Sequence, residues 1–256
     1  MPRWFWLCLA ATPLCAQPDP DAQWKVFLAW LNAQPPNSKP ADLLRPYRAE
    51  LIRQGTLPAE ADREMERLGQ LAFTRPDGAK ILWNKVYGGY DPIFIQTPNA
   101  LVANAIEGRK PGKALDIGMG QGRNAVFLAL QGWDVTGFDP SDEGVRLAQA
   151  NAAKAGVKIR ALVSTDDRFD FGAAQWDLIV MTYIRSLTTR DAERIHRALA
   201  PGGIFVYENG SDRHNELLKL FLSFRIVHFE DVDAFPDWNP GEKIRLERLV
   251  AEKPLE

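Results

Sequence analysis

The sequence predicts an α/β protein built on a doubly wound, mostly parallel sheet with a helical extension in front of it. Three observations predict this. From Ala114 onward, short apolar runs alternate with amphipathic helical stretches, the pattern of a parallel sheet covered by helices on both faces. Before about Phe73 the apolar residues recur only at helical spacing. A glycine-rich bend lies where the first strand should turn into the first helix, the edge at which such sheets take ligands.

The first residues differ from the rest. Met1-Pro2-Arg3 supplies one positive charge, residues 4–14 are mostly apolar, and Pro13-Leu14-Cys15-Ala16 ends on a small residue. Residues 1–16 therefore read as a secretory leader cleaved after Ala16. The apolar run is too short to span a bilayer as a stable helix. The expectation is an exported chain, periplasmic or extracellular, with no membrane span once mature. The alternative is a cytoplasmic protein whose first residues form an apolar helix packed on the domain. Cys8 and Cys15 both lie in this leader, so its removal excludes disulfides, cysteine nucleophiles and thiolate metal sites together.

Residues 17–78 read as a helical segment. Trp24, Phe27, Leu28 and Leu31 recur at helical spacing, as do Ala61, Met65, Leu68 and Ala72. Pro35-Pro36-Asn37-Ser38 separates the first helix from the second, and Thr56 before Pro58 reads as the cap of a third. Amphipathic helices need a surface on which to bury their apolar stripe, and residues 79–256 supply it. The stretch 74–98 is rich in aromatic and turn residues, among them Trp83, Asn84, Tyr87, Gly88 and Gly89. It reads as a loop, lying over a pocket or packed on the surface. Thr97-Pro98 opens a short helix closed by Gly108.

Strand and helix then alternate. Strands are predicted at 114–117, 133–138, 157–163, 178–181 and 204–207, with helices at 124–130, 141–155 and 188–200. Gly132, Gly156 and the Pro201-Gly202-Gly203 turn punctuate them. Runs at 225–229 and 244–250 have no helix between them, so an antiparallel pair is expected at the sheet end.

The chemistry concentrates in Asp116-Ile117-Gly118-Met119-Gly120-Gln121-Gly122-Arg123-Asn124. Glycines there let the backbone turn sharply, and the helix that follows presents free amides. The dinucleotide pattern G-x-G-x-x-G is not met from Gly118, since its third position is Arg123. From Gly120 that position is Ala125, deeper in the helix. No Lys-Ser/Thr pair marks a P-loop. Asp139 ends the second strand about 20 residues on, where a carboxylate accepts hydrogen bonds from ribose hydroxyls. A helix cap before Pro140 is the alternative reading, and the position at the strand end favours the ribose role. Asp116 would be favoured beside a cationic ligand. Asp166 or Asp167 follows the third strand, where an adenine amino group would lie, and Thr182 and Tyr183 end the fourth.

With 46% hydrophobic residues, a formal net charge of -2 and a pI near 6.0, nothing in the charge balance favours a nucleic-acid duplex as partner. His196, His214 and His228 lack metal-ligand spacing, so no metal is expected.

The Ala-Leu-Asp-Ile-Gly-Met-Gly-Gln-Gly-Arg-Asn block, the Gly-Trp-Asp-Val-Thr-Gly-Phe-Asp block and Leu-Ala-Pro-Gly-Gly together resemble class I S-adenosylmethionine-dependent methyltransferases. Gly122-Arg123-Asn124 with Val135-Thr136-Gly137 looks most like the branch containing tellurite-resistance and thiopurine methyltransferases. The resemblance implies a Rossmann-like, seven-stranded sheet whose last strand is antiparallel. It implies S-adenosylmethionine as cofactor, held at Asp116, Gly118, Gly120, Gly122, Asp139 and a third-strand carboxylate. Met119, Arg123, Asn124, Pro140 and Thr182 stand alongside. The reaction it implies is in-line displacement of a methyl group from the sulfonium to a small-molecule nucleophile, such as a thiol or chalcogenide. Should a base be needed, Tyr87, Tyr183, Glu208 and His214 are candidates, each also readable as a packing or surface residue. Asp91-Pro92-Ile93-Phe94 is similar to the Asp-Pro-Pro-Tyr motif of amino-group DNA methyltransferases but lacks its second proline, and reads as a turn. Two other functions fit the same pattern: an NAD(P)-dependent oxidoreductase, and a non-catalytic S-adenosylmethionine-binding module.

Overall fold

The structure, a computed structural model, describes residues 19–37, 40–89, 96–211, 216–237 and 241–255. The leader, the Asp91-Pro92 turn and His214 fall outside these residues.

Seven strands form one sheet: β1 (Lys113–Ile117), β2 (Asp134–Asp139), β3 (Arg160–Val163), β4 (Trp176–Thr182), β5 (Leu199–Gly210), β6 (Arg225–Ala234) and β7 (Ile244–Glu252). Their order is β3-β2-β1-β4-β5-β7-β6. β1 pairs in parallel with β2 and β4, while β7 runs antiparallel between β5 and β6. The expected reversed last strand is therefore present. Because β1 lies at the centre, the chain steps away in opposite directions after it, and a crevice opens at the carboxyl ends of β1 and its neighbours.

The central strands are apolar on both sides, as a doubly covered sheet requires. Leu115, Ile117, Ile179, Met181 and Phe205 face one core, while Ala114, Leu178, Val180, Ile204 and Val206 face the other. Each fully buried Leu, Ile or Phe contributes roughly 1.5–3 kcal/mol. The predicted turn at 201–203 is absorbed into β5. Leu199 pairs with Trp176, the register slips, and Ile204 pairs with Leu178.

The crossovers are α6 (Arg123–Leu130), α7 (Asp142–Lys154) and α8 (Thr189–Ala198). Ser141 caps α7 by accepting from the Gly144 amide, and Thr188 with Asp191 closes a capping box on α8. A short α5 (Ala100–Ala105) precedes β1, and the five-residue α9 (Glu216–Leu220) had no sequence forecast.

The N-terminal part holds α1 (Pro20–Ala33), α2 (Pro40–Arg53), α3 (Pro58–Thr74) and α4 (Pro76–Tyr87) around a separate core of Trp24, Phe27, Leu31, Leu68, Leu82 and Val86. The third helix starts one residue beyond the Thr56 cap, within the one-residue latitude of that reading: Leu57 caps it, with no side-chain hydrogen bond, and Pro58 occupies its first turn. One sequence expectation is corrected here. The stretch expected as a loop from residue 74 is largely helical, because Pro76 sits in the first turn, where a missing N–H costs nothing. Gly78, which weakens an isolated helix, is where Trp24 packs: a Cβ there would lie 2.6 Å from the indole. α4 thus crosses the expected boundary between residues 78 and 79, joining the helical core to the sheet domain.

Among the described residues no helix is long and apolar enough to cross a membrane. Among them, too, no group of three or more His, Cys, Asp or Glu side chains could hold a metal ion.

Candidate cofactor site

The bend after β1 takes its shape from alternating left-handed glycines: Gly118, Gly120 and Gly122 have φ of 61°, 53° and 82°. That region costs other L-residues roughly 1–2 kcal/mol each. The bend is fastened to the neighbouring strand. The Met119 amide donates to the Phe138 carbonyl at 3.0 Å and the Gly122 amide to the Met119 carbonyl at 2.8 Å. The Gly120 amide donates to Asp139 Oδ2 at 2.9 Å, and the Ser141 amide to Asp139 Oδ1 at 2.8 Å. From α7, Asn151 donates to the Gln121 carbonyl at 2.9 Å. The bend's own amides are therefore not offered to a ligand at Met119, Gly120 and Gly122, which are committed to protein acceptors.

Bend and strand tip enclose a cavity of about 370 Å³, within the roughly 300–1,000 Å³ of small-molecule sites. Asp116, Gly118, Met119, Gly120, Arg123 and Asn124 line it on one side, and Asp139, Pro140, Asp166, Asp167 and Thr182 complete that half. Gly122 stands behind them, against Ala148 of α7.

Two buried carboxylates dominate the electrostatics. Burial pushes Asp116 up to about 7, against the pull of the Arg123 cation and the Ala125 amide; Asp139 adds to the rise. Burial likewise raises Asp139 to about 6 despite the Ser141 and Gly120 amides. Asp116 Oδ2 is buried without a hydrogen-bond partner, a costly state that a cationic or hydrogen-bonding ligand would relieve. The adjacent carboxylates divide clearly. Asp166 is ion-paired to Arg185, whose guanidinium also grips Asp191 at 2.8 Å. Asp167 makes no hydrogen bond or ion pair among the described residues and stays exposed on the cavity rim.

A polar cluster buttresses the end of β4. Asn99 caps α5, and its backbone amide donates to Asn124 Oδ1 at 2.9 Å. Its side-chain amide donates to Glu208 at 3.1 Å and to Asp237 at 3.0 Å. Asn124 donates to Thr182 Oγ1 at 3.2 Å, and Arg123 pairs with Asp237 at 2.8 Å. Tyr183, at a φ of 57°, donates its hydroxyl to Glu208, which Arg248 holds from behind at 2.7 Å. A bulky residue in that conformation is locally strained. Of the expected base candidates, Tyr87 and Tyr183 line the cavity, whereas Glu208 sits behind Tyr183 and does not. Burial, then the charge of Glu208, raises Tyr183; burial and Asp139 raise Tyr87. Both phenols are therefore neutral at neutral pH.

The opposite wall comes from a stretch whose place the sequence leaves open. Thr74, Pro76, Ala79, Trp83 and Tyr87, from α3 and α4, form a roof over the cavity. Trp83 and Tyr87 stack at 5.8 Å.

Sheet order and crevice together are those of the class I methyltransferases. Residues 114–203, about a third of the chain, match the family model described as a methyltransferase domain. The chain is 29% identical over 165 residues to Hemagglutinin 1 of Eikenella corrodens, covering 60% of this chain and 52% of that one. It is 35% identical over 159 residues to a ubiquinone biosynthesis O-methyltransferase of Methylobacterium nodulans, covering 56% and 60%. It is 31% identical over 94 residues to the probable S-adenosyl-L-methionine-dependent methyltransferase TehB of Haemophilus influenzae, covering 35% and 31%. The crystal structure of TehB from that organism superposes with a TM-score of 0.51 at 20% identity, over 68% of this chain and 67% of the other. The matches thus span from about a third to under two thirds of these curated relatives.

Proposed function

We propose that the protein binds S-adenosylmethionine across the carboxyl ends of β1, β2 and β4 and transfers its methyl group to a small-molecule nucleophile such as a thiol or chalcogenide. The observation that carries this reading is the pair of buried carboxylates in one cavity, Asp116 with an unsatisfied oxygen and Asp139 tied to the glycine bend. Asp139 would accept from the ribose hydroxyls, since each of its oxygens keeps a lone pair beyond the amide it already accepts. Asp116 would face the cationic half of the cofactor, and Asp167, the unpaired carboxylate of the two, would reach the adenine amino group. When bound, the cofactor supplies an already activated methyl group, so alignment and exclusion of water are what the chain must add. A neutral Tyr183 positions an acceptor without taking its proton, which suits a nucleophile that arrives ionised. The O-methyltransferase among the relatives is a reason to include hydroxyl acceptors in any test.

Titration calorimetry with S-adenosylhomocysteine and with NADH separates this reading from a nicotinamide oxidoreductase. Binding of the first and not the second is expected. Methyl transfer to a panel of thiols, chalcogenides, phenols and amines then separates an enzyme from a silent binding module. Residues 1–16 we read as a leader removed on export, which the N-terminal sequence of the protein recovered from its native host tests.

The carboxylates also predict a pH dependence. In the free protein Asp116 and Asp139 titrate above their ordinary 3.8. The folded state therefore holds more protons than the unfolded one between about pH 4 and 7, and their contribution to stability falls as pH rises through that window. A ligand offering hydroxyl donors and a cation favours both ionised forms. Its binding should release protons near pH 6.5 and tighten from about pH 6 to 8. Calorimetry in two buffers of different ionisation heat measures this, and net proton uptake would contradict the assignment.

A further inference from the structure

α4 belongs to two structures at once. Leu82 and Val86 are buried with α1 and α3, while Ala79, Trp83 and Tyr87 line the cavity. Asn84 lies between these faces and does not itself line the cavity. Its Oδ1 accepts from Ser141 Oγ at 2.6 Å and from the Glu143 amide at 3.3 Å. Ser141 is the cap of α7, and its own amide holds Asp139. One side chain of the helical unit is thereby tied to the turn that carries the ribose carboxylate. The nearby Lys80–Asp142 pair, at 2.8 Å, joins two half-exposed side chains and adds little.

The sheet domain leaves room for what α4 brings. A Cβ on Gly120 would overlap the Tyr87 hydroxyl, and one on Gly144 would lie 3.0 Å from the Tyr87 ring. Gly144 is in the first turn of α7 without a positive φ, so its backbone makes no demand for glycine. Space for the ring is the remaining reason for its small size. Tyr87 is thus seated between the bend and α7, directly beside Asp139.

We infer that Asn84 is a positioning residue for the cofactor: by accepting from Ser141 and the Glu143 amide at the start of α7 it holds Trp83 and Tyr87 over the ribose end of the site. The N-terminal helical unit is then part of the binding site, although it lies outside the matched methyltransferase domain. This rests on the S-adenosylmethionine reading above. Contacts made by a roof form after the ligand has reached the floor, so their loss appears chiefly in the dissociation rate.

The test compares Asn84→Ala with Asn84→Asp in the full chain, using S-adenosylhomocysteine as probe. Aspartate keeps an acceptor oxygen at the same position, beside a helix N-terminus that favours it. Alanine should raise Kd about tenfold, mainly through faster dissociation, and aspartate should restore binding to within about twofold. Unchanged affinity in the alanine variant overturns the inference. So does an equal loss in both variants with an equal fall in Tm, which marks a folding defect. Gly144→Ala is the second measurement: its methyl group pushes on Tyr87 while favouring the α7 helix. Weaker probe binding without a lower Tm supports the inference, and unaltered or tighter binding overturns it. A wild-type protein that does not bind the probe at all overturns the cofactor reading together with this one.

Discussion

Replacing Asp139 by alanine should weaken S-adenosylhomocysteine binding by about 3 kcal/mol, a loss of more than a hundredfold. Two effects add. The ribose loses a charged acceptor, at about 1.5–3 kcal/mol. The Gly120 and Ser141 amides also lose theirs, so the glycine bend is no longer pinned to β2. Stability should change far less than affinity. Removing a buried carboxylate whose ionisation is already disfavoured relieves desolvation, and this offsets part of the cost of two orphaned amides. The milder substitution Asp139→Asn keeps one acceptor oxygen, and its affinity should fall between those of the wild type and the alanine variant. Calorimetric titration beside a thermal melt checks both quantities, and an alanine variant that binds normally would remove the ribose assignment.

The second large effect is on stability. Gly122→Ala should cost about 2–5 kcal/mol, although Gly122 does not line the cavity. Its φ of 82° at the N-cap of α6 is unfavourable for alanine by about 1–2 kcal/mol. The new Cβ would also lie 2.9 Å from Ala148 Cβ and 3.2 Å from Ala148 Cα, a contact with α7 that only a helix shift can relieve. Overpacking of that kind costs about 1–3 kcal/mol. For a chain of this size the melting temperature should fall by roughly 5–15 °C. A fall of less than about 2 °C would mean that α6 and α7 separate more easily than their packing implies.

The sheet was legible in the sequence because its strands are short, apolar and punctuated by glycine: Gly132, Gly156 and Gly202 each turn with positive φ. The glycine bend and Asp139 were legible because their chemistry is local to two strand ends. The roof was not. Residues 74–98 contain Pro76, Gly78, Gly88 and Gly89, all breakers by propensity. The α4 helix survives because Pro76 begins it, Trp24 fills the space at Gly78, and Gly88 and Gly89 fall after its end. Packing decided against propensity there, and packing between segments so distant in sequence leaves no periodic trace. Glu208 is a base candidate and a packing residue alike on sequence alone, since the Arg248 and Tyr183 that enclose it come from other parts of the chain. Asp237, which pairs with Arg123, carried no sequence signal at all.

The commitment of the bend's amides to protein acceptors has a consequence for how a ligand would be met. Because the floor is held by Phe138, Asp139 and Asn151, it needs no ligand to keep its form, and association loses little ordering entropy there. Amide hydrogen exchange at Met119 and Gly120 should accordingly be slow in the free protein and barely altered on saturation. The entropic toll of capture falls instead on whichever wall rests on fewer tethers.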